Sequence, residues 1–404
     1  MKKKSLYIYL GVLTGTVLLN IAAWNSRTFC DWYIMHVLPL WVNTYGRLTG
    51  LLPFSLGEFM LIAAVLLILT AFLTGILRFA IWARQKGKGQ EKGAGQRGVT
   101  FKIRRFCRGY HLGFAWIALG VFVILTLNCF ICYHGTDFCT RYFPEVEKEG
   151  REYSLEELMM VRDFVVVKCN ALAEQMERDA QGNVIYTGDM ETTAIQCMQA
   201  LGEEYEQLAG FYPKPKGIYY SEFLSQQYIQ GYFFPFSMEA NINRIMKIMN
   251  KPATMCHELA HLKGFLQEDE ANLIGYLACI GSEDPFFQYS GYLSVLNYLD
   301  NDFYDAVGQN REDYLAHVQI SAQVRADNKF LSEDAWEIVE KKAVISTETV
   351  DKISDEIMEA TLIMNGVEDG TLSYCRVVGL LLDYYSIRTE IGEEFPQMVS
   401  ADGE

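Results

Sequence analysis

The sequence predicts an α-helical membrane region of three spans, followed by a mainly helical soluble domain of the α+β type with a small sheet. Three observations predict it. Long apolar runs are confined to the first third of the 404 residues. The remainder is acidic and patterned into capped, amphipathic helices. Among those helices lie two short aromatic stretches with β-branched residues, bounded or interrupted by proline.

Residues 5–24, 58–82 and 110–133 are the three apolar runs. Each suffices for a bilayer's hydrocarbon core, which takes about 20 helical residues. Lys2, Lys3 and Lys4 precede the first run, so a signal peptide cut near Ala22 and Ala23 is the alternative there. No polar region separates the run from such a cut, and an uncleaved anchor is the expectation. Residues 84–108 hold nine Lys/Arg and one Glu, whereas 25–57 hold Arg27 and Arg47 with Asp31. Short basic loops stay cytoplasmic. The expected arrangement is a multi-pass plasma-membrane protein with a cytoplasmic N-terminus, a flexible cytoplasmic loop 84–108 and an outside domain 134–404. Trp24, Trp32 and Trp41 suit the headgroup level. Ser55 reads as the cap of the second span, with Glu58 completing a capping box.

Charge divides the chain. Residues 1–133 carry 15 basic and 3 acidic groups, a net of +12, leaving 20 and 47, a net of −27, for residues 134–404. So acidic a domain repels nucleic acid, which is excluded as a partner; the lipid bilayer and peptides or proteins are the partners expected. Of the ten cysteines, only Cys129 and Cys132 have C-x-x-C spacing, at the end of an apolar run, and most read as buried thiols.

The soluble part opens near Pro144. Ser154 and Glu157 form a capping box for a helix to about residue 178, and Gln181 to Asn183 mark a turn. Residues 190–209 read as a helix closed by Gly210. Residues 216–221 and 231–238 read as strands, and Pro235 confines the second to a sheet edge. A free edge next to a site offers main-chain hydrogen bonds to an extended peptide. Glu239 and Asn243 are read as orienting backbone there. Helices are expected over 285–302, 308–326, 332–345, 347–365 and 373–388. His317, Tyr292 and Tyr374 are weighed as oxyanion stabilisers, with a structural role the commoner fate of such residues.

The chemistry concentrates in residues 251–276, KPATMCHELAHLKGFLQEDEANLIGY. His257 and His261 lie about 40° apart around a helix, one turn from each other, so both imidazoles can reach one metal. Zinc takes such nitrogen ligands at roughly 2 Å. Glu258, beside the first histidine, is placed as general base toward a metal-bound water. Pro252 suits the helix start and Gly264 its end. A second helix beginning near Gln267 then carries Glu268, the choice for third ligand, and Asn272 as hydrogen-bond support for a liganding histidine. Ala271 is small enough for the two helices to approach closely. Glu270, about 200° around from Glu268, is the rival ligand. Cys256 projects about 100° from His257, toward the core.

The stretch 257–276 resembles the metal-site segment of a family of bacterial membrane proteins, domain of unknown function 3810. Residues 51–60 (LLPFSLGEFM) and 231–243 (GYFFPFSMEANIN) also fit it. That family in turn resembles the gluzincin metallopeptidases, in which a glutamate followed four residues later by Asp or Asn supplies the third ligand and its support, here Glu268 and Asn272. The seven residues from His261 to Glu268 are a short spacing for a gluzincin. The resemblance implies a zincin-like fold for the soluble domain and a peptidase-like zinc site. The expected function is therefore a zinc metallopeptidase hydrolysing peptide bonds outside the membrane. The alternative is a non-catalytic zinc-binding sensor or assembly factor. An intramembrane protease is disfavoured, because no spanning run surrounds the histidines.

Overall fold

The computed structural model describes residues 3–87, 94–144, 153–364 and 376–386. Among the described residues, three helices are long and apolar enough to cross a bilayer: Lys3–Asn25, Leu56–Arg84 and Phe101–His134. Their side chains point mostly outward, Leu66 and Phe72 among them. A lipid environment removes that apolar surface from water, so the helices fit association with a bilayer.

The basic stretch 84–108 departs from the expected flexible loop. One helix runs on to Gly87 and the next starts at Ala94 and continues to Leu125. Residues 88–93 lie outside the described ones. Lys, Arg, Gln and Ala are strong helix formers, and a spanning helix can propagate through them once nucleated. Residues 27–50 are likewise mostly short helical pieces. Ser26 caps the first of these, accepting from Phe29 N–H at 3.2 Å.

The soluble part is mainly helical around a three-stranded mixed sheet, in the order β1-β3-β2. β1 is Lys216–Gly217, β2 is Gly231–Phe234 and β3 is Glu239–Ile242. β3 runs parallel to β1 and antiparallel to β2, with Gly231 opposite Ile242 and Phe234 opposite Glu239. β2 is the edge strand expected, stopping before Pro235, which has no N–H for a ladder. The first strand is shorter than the expected 216–221. Glu58 takes the Tyr219 and Tyr220 N–H groups at 3.0 and 2.7 Å, and a short helix, Ser221–Ser225, follows. The central strand β3 was not expected. It is four residues long, and Glu, Ala and Asn, three of the four, are disfavoured in strands; all four are buried, Glu239 and Asn241 included.

The capping box at Ser154 and Glu157 forms in full and opens the helix Leu155–Gln175. The segment expected as one helix over 308–326 is two, Arg311–Leu315 and Ala322–Asp327. Helix Lys251–His261 lies at the centre, packed against helices Met190–Glu204 and Glu268–Ile280 and against β2 and β3. Leu259, Ala260, Ala271, Ile274 and Phe287 are wholly buried around it. The same core reaches Tyr33, Ile34 and Leu38, beside the first span, and Ile131 at the end of the third. The 1–133 and 134–404 segments thus share a hydrophobic interior.

Candidate metal centre

Pro252 sits in the first turn of Lys251–His261, and Gly264 follows that helix with φ +91°. The chain reverses over residues 262–267, and the next helix begins with Glu268 as its first residue. Close approach of the two helices depends on Gly275 as well as on buried Ala271. A Cβ at 275 would come within 3.0 Å of Ala253 O and 3.1 Å of His257 N.

This reversal brings three donor atoms together. His257 Nε2 lies 3.1 Å from His261 Nε2 and 3.1 Å from Glu268 Oε2, and His261 Nε2 is 3.8 Å from the same oxygen. Ligand bonds of roughly 2.0–2.1 Å in a tetrahedron set donor atoms about 3.3–3.4 Å apart. The donor set thus fits one small cation held by two imidazoles and a carboxylate. The tautomer fits too. His261 Nδ1 lies 2.7 Å from Phe265 O, an acceptor only, so Nδ1 carries the proton and Nε2 keeps its lone pair. Asn272 adds to the upward shift of His257, and its Nδ2 has no hydrogen-bond partner, so the amide oxygen is the atom available to accept from the ring.

Without a cation the two rings titrate apart. Burial pulls His257 down, but the hydrogen bond and charge of Glu268 outweigh it and the net shift is upward. Burial lowers His261 to about 4. A proton on His257 is therefore what a metal would displace.

Glu258 is 3 % exposed, and its Oε2 has no hydrogen-bond partner. Desolvation pushes its carboxyl up to about 8, while the charge of His257 opposes that rise. Its other oxygen borders the start of β2, where a Cβ on Gly231 would come within 2.6 Å of Oε1. Only glycine lets the edge strand and the carboxylate come this close.

Glu270 is not beside the histidines. It turns into the core and accepts the Phe138 N–H at 2.5 Å, far away in sequence. Cys256 points into the core as expected, with its sulfur 3.8 Å from Cys279 Sγ. His317 binds Asp163 at 2.8 Å and packs on Phe303, a structural setting away from the cleft wall. Tyr292 is buried among the Phe164 and Tyr276 rings, and Tyr374 lies outside the described residues.

A cleft of about 740 Å³ contains the three donors, Glu258 and β2 residues Gly231, Tyr232 and Phe233. Sequence reasoning missed much of its wall. Ser294, Asn297, Tyr298 and Asn301 all line it from helix Pro285–Ala306. Their i, i+3, i+4, i+7 spacing was the available signal, a neutral polar stripe on an otherwise apolar helix. Tyr133, at the end of the third span, lines the same cleft.

No curated protein and no solved structure matches the sequence. One family model does match, over residues 33–382, and by that match the chain belongs to the protein family of unknown function DUF3810.

Proposed function

We propose that this protein is a zinc-dependent, peptidase-like hydrolase anchored in the bacterial plasma membrane, with its soluble part on the outer face. The observation that carries the reading is the meeting of His257, His261 and Glu268 within 4.8 Å of one another, with an unpartnered buried carboxylate alongside. Three protein ligands leave a fourth position for water, as catalytic zinc sites do and structural ones do not. The Glu268 and Asn272 pair, four residues apart, matches the gluzincin pattern. The short spacing and the zincin-like fold remain part of the proposal. The basic stretch 84–108 supports the outside placement by the positive-inside bias.

A zinc ion held there would polarise a carbonyl and acidify its bound water. The chain's own groups do the rest. Glu258 takes the water proton and passes it to the leaving nitrogen. Its carboxylate form is favoured once a dication lies beside it, against the desolvation that otherwise raises it. The free edge of β2 hydrogen-bonds the substrate main chain, and Gly231 lets that chain run close past Glu258. Metal analysis of the purified full-length protein, with peptide-library cleavage by wild type and Glu258→Gln, tests the reading. Zinc in both and cleavage by wild type alone supports it. Equal cleavage by the two, or no bound metal, overturns it.

One observation favours a second reading, a non-catalytic sensor or assembly factor. The N-terminus of the second span is bonded to the sheet beside the site, through Glu58 on Tyr219 and Tyr220 and through Glu239 on Leu56 and Gly57. Partner binding at the cleft would then be relayed to the membrane. Under this reading Glu258→Gln leaves cellular function intact while His257→Ala abolishes it.

A further inference from the structure

The segment after β1 carries a patch that neither the core nor the candidate site uses. Tyr219, Tyr220 and Phe223 are large apolar side chains that are 65 %, 54 % and 55 % exposed. Tyr219 and Tyr220 pack edge to face at 5.1 Å, so they form one surface. Their position along the membrane normal is fixed by the Glu58 carboxylate, which holds both of their N–H groups. Glu58 is the third residue of the second spanning helix, and Phe59 and Leu61 just beyond it are exposed and apolar, as lipid-facing residues are. The two tyrosines therefore stand level with the boundary between hydrocarbon and headgroups. Residues leading into that span are exposed and apolar as well, Leu48, Leu51 and Phe54 among them. Lys216 ties this lead-in to β1 by donating to Thr49 O and Phe54 O.

We propose that Tyr219, Tyr220 and Phe223 are embedded in the headgroup layer of the bilayer on the side where the soluble part lies, forming a ledge of that part. The residue types fit, because amphipathic aromatic rings concentrate at this depth. Charge fits as well. In a region with a net charge of −27, this patch carries Arg244, exposed, 5.4 Å over the Tyr219 ring and donating to Tyr219 O, while Glu222 between the aromatics is paired with Lys342 at 2.6 Å. A guanidinium there suits lipid phosphate. Continuity with a spanning helix argues for lipid over a second copy or a partner protein as the occupant. The ledge does not depend on the metal site or on which side of the membrane is outside.

The test places a nitroxide on Phe223→Cys in the full-length protein, reconstituted in vesicles of phosphatidylcholine and phosphatidylglycerol. Gln181→Cys, in the exposed turn before Asn183, is the aqueous reference. Eight of the nine described native cysteines are buried, so they label poorly, and labelled wild type supplies the background. The expected result is a ratio of oxygen to nickel-chelate collisions several-fold higher at 223 than at 181. Tyr220→Cys repeats the reading if the first variant does not fold. A ratio equal to that at 181 for both positions overturns the proposal. So does dipolar broadening between labels without a rise in oxygen collisions, which would mean that a second copy covers the patch.

Discussion

Two buried glutamates stand at opposite ends of β2, and their circumstances are opposite. Glu239 faces Phe234 at the end nearest the second span, and Glu258 meets Gly231 at the other. Three residue steps of about 3.4 Å separate those ends, roughly 10 Å. Glu239, 1 % exposed, accepts from Lys216 Nζ, Ser237 Oγ, Leu56 N and Gly57 N. Glu258 is as deeply buried and has an oxygen with no partner. A buried carboxylate surrounded by donors is architecture: it caps the membrane helix and fixes it to the sheet. One left without donors stores its desolvation cost as a raised pKa, and that is what a base poised near neutrality requires.

The sharpest way to break this comparison is to remove each carboxylate in turn. Glu239→Ala strands the buried Lys216 ammonium and two helix N–H groups. Losing one partner of a buried pair costs about 3–5 kcal/mol, so this variant should unfold at markedly lower denaturant in detergent. Glu258→Gln removes a group that is poorly satisfied and should unfold no earlier than wild type. Equal losses for the two would erase the distinction.

A pH series sharpens it. In the metal-stripped protein Glu258 titrates at about 8, against an ordinary 4.5. A folded value above the unfolded one means that the folded chain binds more protons between them. Stability contributed by this group is therefore full below about 4.5 and is lost as pH rises through about 8. Subtracting the Glu258→Gln unfolding curves from wild type at each pH should expose that fall. A difference that stays flat from pH 5 to 8.5 would show that burial does not hold the proton on Glu258.

The acidic run that opens helix Glu268–Ile280 holds a smaller version of the same contrast. Glu268 faces the histidines, whereas Glu270 caps the Phe138 N–H. Glu268→Gln should lower bound zinc, read by elemental analysis, with little change in folding. Glu270→Gln should keep the zinc and lose about 1–3 kcal/mol of stability, as expected for a disturbed buried hydrogen bond. The reverse pattern would exchange the two assignments.

What the sequence made legible was whatever depends on helical spacing. His257, His261 and Glu268, the reversal at Gly264, the capping box at Ser154 and the three spans all rest on short-range rules, and the structure places each where those rules put it. What it hid depends on contacts across the chain. Glu58 shows the limit within one residue. Its N–H does donate to Ser55 Oγ, but its carboxylate serves Tyr219 and Tyr220, some 160 residues on. β3 was hidden because it is only four residues long and three of them, Glu239, Ala240 and Asn241, are poor strand formers. Residues 84–87 and 94–108 are helical where glycine and charge suggest a loop, because Lys, Arg and Gln have high helix propensity.

The smallest expected effect falls on Asn272, and it discriminates well because two possible roles predict different readouts. Were Asn272 structural, Asn272→Ala would lower stability. Its Nδ2 has no partner, however, so removing the amide also removes a buried group that folding leaves unsatisfied. Its oxygen serves the His257 ring, and loss of such support behind a metal-binding histidine costs about 10–100-fold in metal affinity. Asn272→Ala should thus weaken zinc binding by that factor in a competition titration while the unfolding midpoint of the metal-stripped protein stays put. Asn272→Asp, which restores an acceptor, should recover the affinity. A lower midpoint with unchanged affinity would make Asn272 part of the packing between the two helices, and the orientation of His257 would then rest on Glu268.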